Sequence, residues 1–404
     1  MRILSAMSGG VDSSAATALL LEQGHQVVGA YMKNWINEEN ILGDCPWQQD
    51  IEDARAVADR LGIEFRVVNL MRDYRARVVD YLLAGYQNGI TPNPDVMCNR
   101  EIKFGVFLDY ALENGFDAIA TGHYAQTQRL ADGSTDILCG ADPNKDQSYF
   151  LALLQQHQAR QALFPIGHLL KPAVRALAAK YSLPNAAKKD SQGICFIGQV
   201  KMADFLRAFV PDDPGEIIDT TGKVLGTHRG LHLYTLGQRR GFGVASPVYK
   251  VAYVVVEKRP ATKQLVVTLE QPDAPLLYAT QCRVTSVTSL NAPCPWPGPL
   301  SARPRYRSPA AACSIDVIDA TTLDVTFEFP QRALAPRANL RLLSRKYSSR
   351  RRNFLKRDLL EPFLSPPDPP KTLSNQQSGV DIKKTSLFII FFLPFLNKFR
   401  RIVR

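Results

Sequence analysis

No two of the seven cysteines stand as Cys-x-x-Cys, and only six histidines occur in 404 residues. A structural zinc site built on paired thiolates is therefore not expected. The odd cysteine count, and a first apolar run that reads directly as a strand rather than a leader, argue for a reducing cytoplasm over secretion. Long apolar runs are also lacking. Leu387 to Leu396 is the one strongly apolar stretch, and Pro394 interrupts it. It has about half the length that a spanning helix needs, so no membrane partner is expected. The body of the chain carries no excess of one charge either. The net charge is +11, but residues 337–404 hold 16 Lys+Arg against 4 Asp+Glu, leaving 33 against 34 for residues 1–336. Basicity belongs to the tail and says nothing about nucleic acid at the body. The length suffices for two or three domains with a sizeable core.

What is present begins with Met7-Ser8-Gly9-Gly10-Val11-Asp12-Ser13-Ser14, between an apolar run at Ile3 to Met7 and a helical pattern from Ser13 to Gln23. A strand that breaks at paired glycines and turns straight into a helix makes a phosphate cradle. The glycines permit positive φ, and the unpaired amides of the first helical turn point at an anion. Ser8, Ser13 and Ser14 add hydroxyls, and Asp12 is placed to hold a Mg²⁺ on the phosphates. The Gly-Lys-Ser/Thr ending of the Walker loop is absent, which speaks against a kinase or GTPase.

The following residues alternate strand and helix. Val27 to Met32 reads as a strand, Asp50 to Leu61 as a helix, Phe65 to Leu70 as a strand and Asp73 to Tyr86 as a helix. This rhythm predicts an α/β fold, a doubly wound parallel sheet with helices on both faces and ligands beyond the carboxyl ends of its strands. Met32, at one such end, is a candidate to pack on adenine, with an ordinary core methionine as the alternative. In Thr91-Pro92-Asn93-Pro94-Asp95-Val96-Met97-Cys98-Asn99, two prolines predict a stiff extended loop, with a helix from Glu101 to Leu112. Cys98 would then lie at or just before a helix N-terminus, where the dipole favours thiolate. Asp117 to Thr121 reads as a strand ending in Gly122-His123-Tyr124, and Gln126 to Gly140 as a hairpin turning at Asp132-Gly133. Lys145-Asp146-Gln147 opens a mostly helical region. Gly193-Ile194-Cys195-Phe196 is a short extended piece bracketed by glycines.

From Gly215 short strands follow at even spacing, Leu231–Tyr234 among them, and predict small β-barrels. Gln238-Arg239-Arg240-Gly241-Phe242-Gly243 and Arg303-Pro304-Arg305-Tyr306-Arg307 set cations beside aromatics, a pairing suited to phosphates and stacked bases. Solvated basic hairpins are the plainer reading. The tail after Pro336 changes composition and carries no Cys, His or Trp.

Five of these stretches, the glycine-aspartate loop, Asn93-Pro94-Asp95 with Cys98-Asn99, Gly122-His123-Tyr124, Lys145-Asp146-Gln147 and Gly193-Ile194-Cys195-Phe196, occur in an order and spacing that resemble the bacterial tRNA-specific 2-thiouridylases. These are ATP pyrophosphatases that replace the 2-oxygen of a wobble uridine with sulfur. The resemblance runs from Met1 to about Pro336. It implies an ATP pyrophosphatase domain over residues 1–140, a mostly helical tRNA-binding domain over 141–213, and β-barrels over 214–275 and 276–336. It further implies that Ala6, Met7, Ser8, Gly9, Gly10, Val11, Asp12, Ser13, Met32 and Gly122 bind ATP. Asn93, Pro94 and Asp95 would meet the target base, while His123, Lys145, Asp146, Gln147, Arg305 and Tyr306 would contact tRNA. Cys98 would be the nucleophile that releases sulfur, Cys195 the persulfide carrier, Asp95 the acid/base, with a Cys98–Cys195 disulfide left at the end. ATP and Mg²⁺ are the implied co-substrate and ion. The partners are tRNA and a sulfur relay protein or cysteine desulfurase, and a monomer is expected. Residues 337–404 depart from the family's ending. They read as a disordered product of a frame change or misjoined sequence, which leaves the second barrel incomplete. Two rival readings are another adenylating enzyme, which would not need Cys195, and a tRNA-binding protein without catalysis.

Overall fold

The computed structural model describes residues 1–35, 47–190, 202–291 and 300–334, together with the strands Asn339–Ser344 and Phe388–Leu393. The first five strand-forming segments are β1 (Arg2–Ala6), β2 (Gln26–Lys33), β3 (Phe65–Asn69), β4 (Ala118–Ala120) and the antiparallel hairpin strand β5 (Ala125–Arg129), which pairs with β6 (Thr135–Cys139). A two-residue strand, β7 (Ala162–Leu163), joins the main sheet, whose order is β3-β2-β1-β4-β7 with every pair parallel. The chain moves outward from β1 through β2 to β3 and then crosses back to β4, so the order reverses at β1. Beyond the carboxyl end of that strand lies the crevice where such sheets bind ligands. The sheet strands read as near-continuous apolar runs because both faces are covered; Ile3, Leu4, Ala30, Ile119 and Ala120 are fully buried.

Helix α1 (Val11–Glu22) follows the glycine turn directly, and α2 (Trp47–Leu61) crosses from β2 to β3. Next come α3 (Met71–Tyr74), a π-helical turn over Arg75–Val79 and α4 (Asp80–Gln87), then α5 (Pro94–Met97), a π-helical stretch over Cys98–Val106 and α6 (Phe107–Glu113). Two expectations change here. The helix begins at Pro94, not Glu101, because Asn93 caps it: its Oδ1 accepts from the amides of Asp95 (3.1 Å) and Val96 (3.3 Å) and Pro94 takes the first helical position, where its missing N–H costs nothing. Cys98 therefore sits beyond the first turn, where little of the helix dipole reaches it.

The region after the hairpin holds α7 (Gln156–Arg160), α8 (Lys171–Lys180) and α9 (Met202–Phe209). A boundary at residue 140 would cut the sheet, since β7 pairs with β4 and Val174 of α8 shares a buried cluster with Ala15 and Ala16 of α1.

Strands β8 (Gly215–Asp219), β9 (Val224–His228), β10 (Tyr253–Arg259) and β11 (Gln264–Leu269) form a four-stranded sheet of order β10-β11-β8-β9 around Ile217, Tyr234, Phe242 and Val255. The strand expected over Leu231–Tyr234 is a 3₁₀ turn, Leu231–Leu233. The second barrel comprises β12 (Tyr278–Ser289), β13 (Leu300–Arg303), β14 (Ala311–Asp319), β15 (Thr322–Arg332), β16 (Asn339–Ser344) and β17 (Phe388–Leu393). It is closed, contrary to expectation. β16 pairs with β13, and β17, drawn from the apolar run of the tail, pairs with both β12 and β16. A strand end left open would expose unpaired amides and carbonyls, and six apolar residues are a ready partner for them.

Candidate active site

The glycine turn sits where the order of the sheet reverses. Gly9 takes φ +74°, and a Cβ there would meet the Asp50 carbonyl oxygen at 2.5 Å, so only glycine fits between the turn and α2. Gly10 is the N-cap of α1 and brings no side chain to its amides, which leaves the helix end open to an anion. The loop is held from behind. Ser13 Oγ and Ser14 Oγ both donate to Gly10 O at 3.0 Å, Ser13 Oγ accepts from Ser8 N at 3.2 Å, and Asn185 Nδ2 donates to Gly9 O (3.0 Å) and Ser14 Oγ (2.9 Å). Ala6 and Met7 are buried beneath it, and Met32 packs against the same cluster as Ala6. Gly122, at the end of β4, faces the first turn of α1: a Cβ on it would stand 2.6 Å from Ser13 N. β1 and β4 thus deliver Gly9, Gly10 and Gly122 to one place, a cradle that side chains would fill.

Asp12 does not stand alone. Its Oδ1 accepts from Tyr124 Oη at 2.8 Å and from Lys171 Nζ at 2.6 Å. Lys171 also pairs with Asp190 at 2.7 Å, and Asp190 in turn takes Lys145 at 2.6 Å and Arg175 at 2.9 Å. Burial alone would raise the Asp190 carboxyl, but hydrogen bonds from Lys145 and Lys171 outweigh it and hold it at about 2. Beside Asp12, burial first and then the carboxylate's charge push the Tyr124 phenol well above its ordinary range, so it stays a proton donor. Among the described residues no cluster of three or more His, Cys, Asp or Glu side chains is able to hold a metal by itself.

Cys98 lies 1 % exposed in an apolar cluster that also takes in Ala6, Ile102 and Phe104. Asp95, Asn99 and Arg100 stand close to it in sequence, but the fold places it in the core. Asn99 is buried; its Nδ2 donates to Phe150 O at 3.0 Å while its Oδ1 has no partner among the described residues. Asp95 is half-buried on the first turn of α5. Cys195 lies outside the described residues.

A family profile described as the tRNA methyl transferase HUP domain matches residues 1–199, and one described as the tRNA methyl transferase PRC-barrel domain matches residues 203–268. The chain is 59 % identical over 334 residues to the tRNA-specific 2-thiouridylase MnmA of Akkermansia muciniphila, covering 83 % of this chain and 93 % of that one. It is 46 % identical over 338 residues to the enzyme of the same name from Thiobacillus denitrificans, covering 83 % and 94 %. The chain belongs to the tRNA-specific 2-thiouridylase family.

Several positions expected to touch RNA make contacts within the fold of this chain. His123 is 8 % exposed, bonded through Nδ1 to Thr121 Oγ1 at 2.7 Å and set against Phe104 and Phe164. Burial keeps its imidazole neutral. Asp146 is buried, accepts from Gly140 N and Ser148 N, and pairs with buried Arg303 at 3.1 Å. Gln147 Oε1 accepts from Tyr124 N at 3.0 Å. Arg305 donates to the carbonyls of Leu236 (3.0 Å) and Ala333 (2.5 Å), tying the two C-terminal units together. Lys145 remains half-exposed, and Tyr306 lies tilted against Phe150, ring centroids 4.4 Å apart, beneath Arg307. Phe242 is barrel core, and Arg239 is bonded to Glu270. The sequence reading missed Tyr124, Lys171 and Asn185. Lys171 carried a signal, since a lysine in the first turn of a helix opposes the dipole and needs another reason to be there.

Proposed function

We propose that this chain adenylates the 2-oxygen of a tRNA uridine with ATP and replaces it with sulfur from a cysteine persulfide. The observation that supports this most directly is a single apolar cluster that holds both Ala6, at the start of the phosphate cradle, and Cys98. The family profile speaks of methyl transfer, but a glycine cradle at a helix N-terminus suits phosphates, and a buried thiol in the same apolar cluster as Ala6 suits sulfur transfer. In this reading Gly9, Gly10, Ser13 and Gly122 receive the phosphates, and Asp12 is the residue that would hold Mg²⁺ bound with them. Mg²⁺ would neutralise charge as pyrophosphate departs. Lys171 stabilises the same developing charge. The uracil 2-oxygen attacks the α-phosphorus and pyrophosphate leaves, making that oxygen a competent leaving group.

The base reaches this pocket only by leaving the anticodon stack, and Asn93, Pro94 and Asp95 receive it. Sulfur arrives as the outer atom of a Cys195 persulfide. It bonds to C2, AMP leaves, and the Cys98 thiolate takes the inner sulfur, so that a Cys98–Cys195 disulfide remains for an external thiol to reduce. Asp95 moves the proton at the base. The persulfide comes from a relay protein or a cysteine desulfurase, and the enzyme works as a cytoplasmic monomer. Mass spectrometry of nucleosides from tRNA incubated with the protein, ATP, Mg²⁺ and a sulfur donor tests the reading. A 2-thiouridine peak is expected; a methylated nucleoside, or no product from folded protein, overturns it.

A further inference from the structure

The segment that leads into α5 is fixed from two sides, and one of them is the four-stranded C-terminal sheet. Helix α4 ends in a Schellman turn: Gly89 takes φ +70°, Gly89 N donates to Tyr86 O at 3.0 Å and Ile90 N to Gly85 O at 2.9 Å. These bonds satisfy the last carbonyls of the helix. The Gly89 carbonyl that remains accepts from Lys258 Nζ of β10 at 3.3 Å. Two residues on, Thr91 Oγ1 meets Thr235 Oγ1 of the same C-terminal unit at 3.1 Å. Pro92 then packs on α4, where a Cβ on Gly85 would lie 2.5 Å from Pro92 Cγ. Asn93 caps α5, and five residues later the chain reaches Cys98.

Lys258 is an unusual choice for this place. Burial pulls its ammonium down to about 8, and no carboxylate among the described residues offsets that cost. An apolar side chain would be cheaper to bury. What the amine supplies is a charged donor to the carbonyl that starts the loop, at the negative end of α4. Leu233, two residues before Thr235, packs against the apolar cluster that contains Cys98, so the sheet and the loop share a core.

We infer that Lys258 and Thr235 are positioning residues: from the C-terminal sheet they set the Gly89–Thr91 backbone, and through it the placement of Asn93, Asp95 and Cys98. The inference rests on the proposed role of the Cys98 loop. It gives the sheet a task other than holding RNA.

The test uses the full-length enzyme with Lys258→Met, Lys258→Arg and Thr235→Val. Hydrogen exchange over residues 88–98 is expected to quicken about tenfold in Lys258→Met, with residues 8–14 unchanged. Under saturating ATP and tRNA, kcat for thiolation is expected to fall about tenfold while the ATP KM and the tRNA Kd stay within about twofold. Lys258→Arg restores both readouts, and Thr235→Val moves them less and in the same direction. Unchanged exchange over 88–98, or a weaker tRNA Kd at full kcat, overturns the inference. Cys98→Ser, assayed in parallel, separates the two claims: if it thiolates normally, the role given to the loop fails, whatever the exchange shows of the clamp.

Discussion

The glycine turn and the Cys98 segment, the two halves of the proposed site, are built from opposite materials. Around the turn stand ions: Asp12, Lys171, Asp190, Arg175 and Lys145 in one chain of pairs, and Lys188 with Asp50 and Asp53 beside it. Around Cys98 stand Ile102, Phe104 and Phe107, all fully buried, and a neutral His123 close to Phe104. A site that receives a polyanion needs charges able to exchange partners, and Lys171, held by two carboxylates at once, is free to lean toward a third anion without losing both. A site that moves sulfur needs the reverse, because a thiolate or persulfide in water is lost to side reactions. The difference between the two surroundings matches a division between activation and transfer.

Removing the thiol should have the largest effect. Cys98→Ser keeps the volume of the side chain, so ATP and tRNA should bind as before, while multiple-turnover 2-thiouridine formation falls by on the order of a thousandfold or more. Nucleoside mass spectrometry together with filter binding measures both. Retained turnover would mean that the buried thiol is only core, and the comparison with the ionic half would lose its meaning. Lys171→Met comes next. It leaves Asp12 and Asp190 without their shared cation and should slow pyrophosphate release in the presence of tRNA about a hundredfold. Lys171→Arg should recover part of the loss. An effect confined to melting temperature would show that the lysine only neutralises carboxylates.

The ionic half was also the more legible in sequence. Gly9-Gly10 between a strand and a helix, and Gly122 after another strand, imply a cradle before any coordinates, because a glycine turn and a helix end are local features. The apolar half depended on contacts that sequence does not display. Asp95, Asn99 and Arg100 stand close to Cys98 in sequence, yet α5 starts seven positions before Glu101 and the thiol lies in the core. The missed residues are of the same kind. Tyr124 and Lys171 lie 112 and 159 positions from Asp12, and nothing short of the folded sheet brings them together. The arginines near residue 305 show the converse. Composition shows a cation beside an aromatic, but only the fold shows that Arg303 is spent on Asp146 and Arg305 on two backbone carbonyls. The closing strand of the second barrel was hidden by its separation from the rest of that barrel, 43 residues beyond β16.

The smallest effect expected concerns two carboxylates that carry the contrast into stability. Asp190, among cations, is held at about 2, whereas burial pushes Asp136 on β6 up to about 6, a rise that the hydrogen bond from Asn291 only moderates. The two have opposite signs. Asp190 contributes stability that is fully present above the ordinary aspartate range and is lost as the pH falls toward about 2, since the unfolded chain then binds the extra proton. For Asp136 the folded chain holds a proton that the unfolded chain releases, so stability declines as the pH rises from the ordinary value of 3.8 to about 6. Asp136→Asn mimics the protonated form and should abolish that decline. Its melting temperature relative to the parent should climb by a few degrees between pH 4 and 6 and stay level above, as expected for a shift of this size. Asp190→Asn should show no such climb and should instead lose stability relative to the parent at every pH above about 4. If both variants ran parallel to the parent across this range, the two carboxylates would share one kind of surroundings, and the division of the site into an ionic and a dry half would not extend to the protein around it.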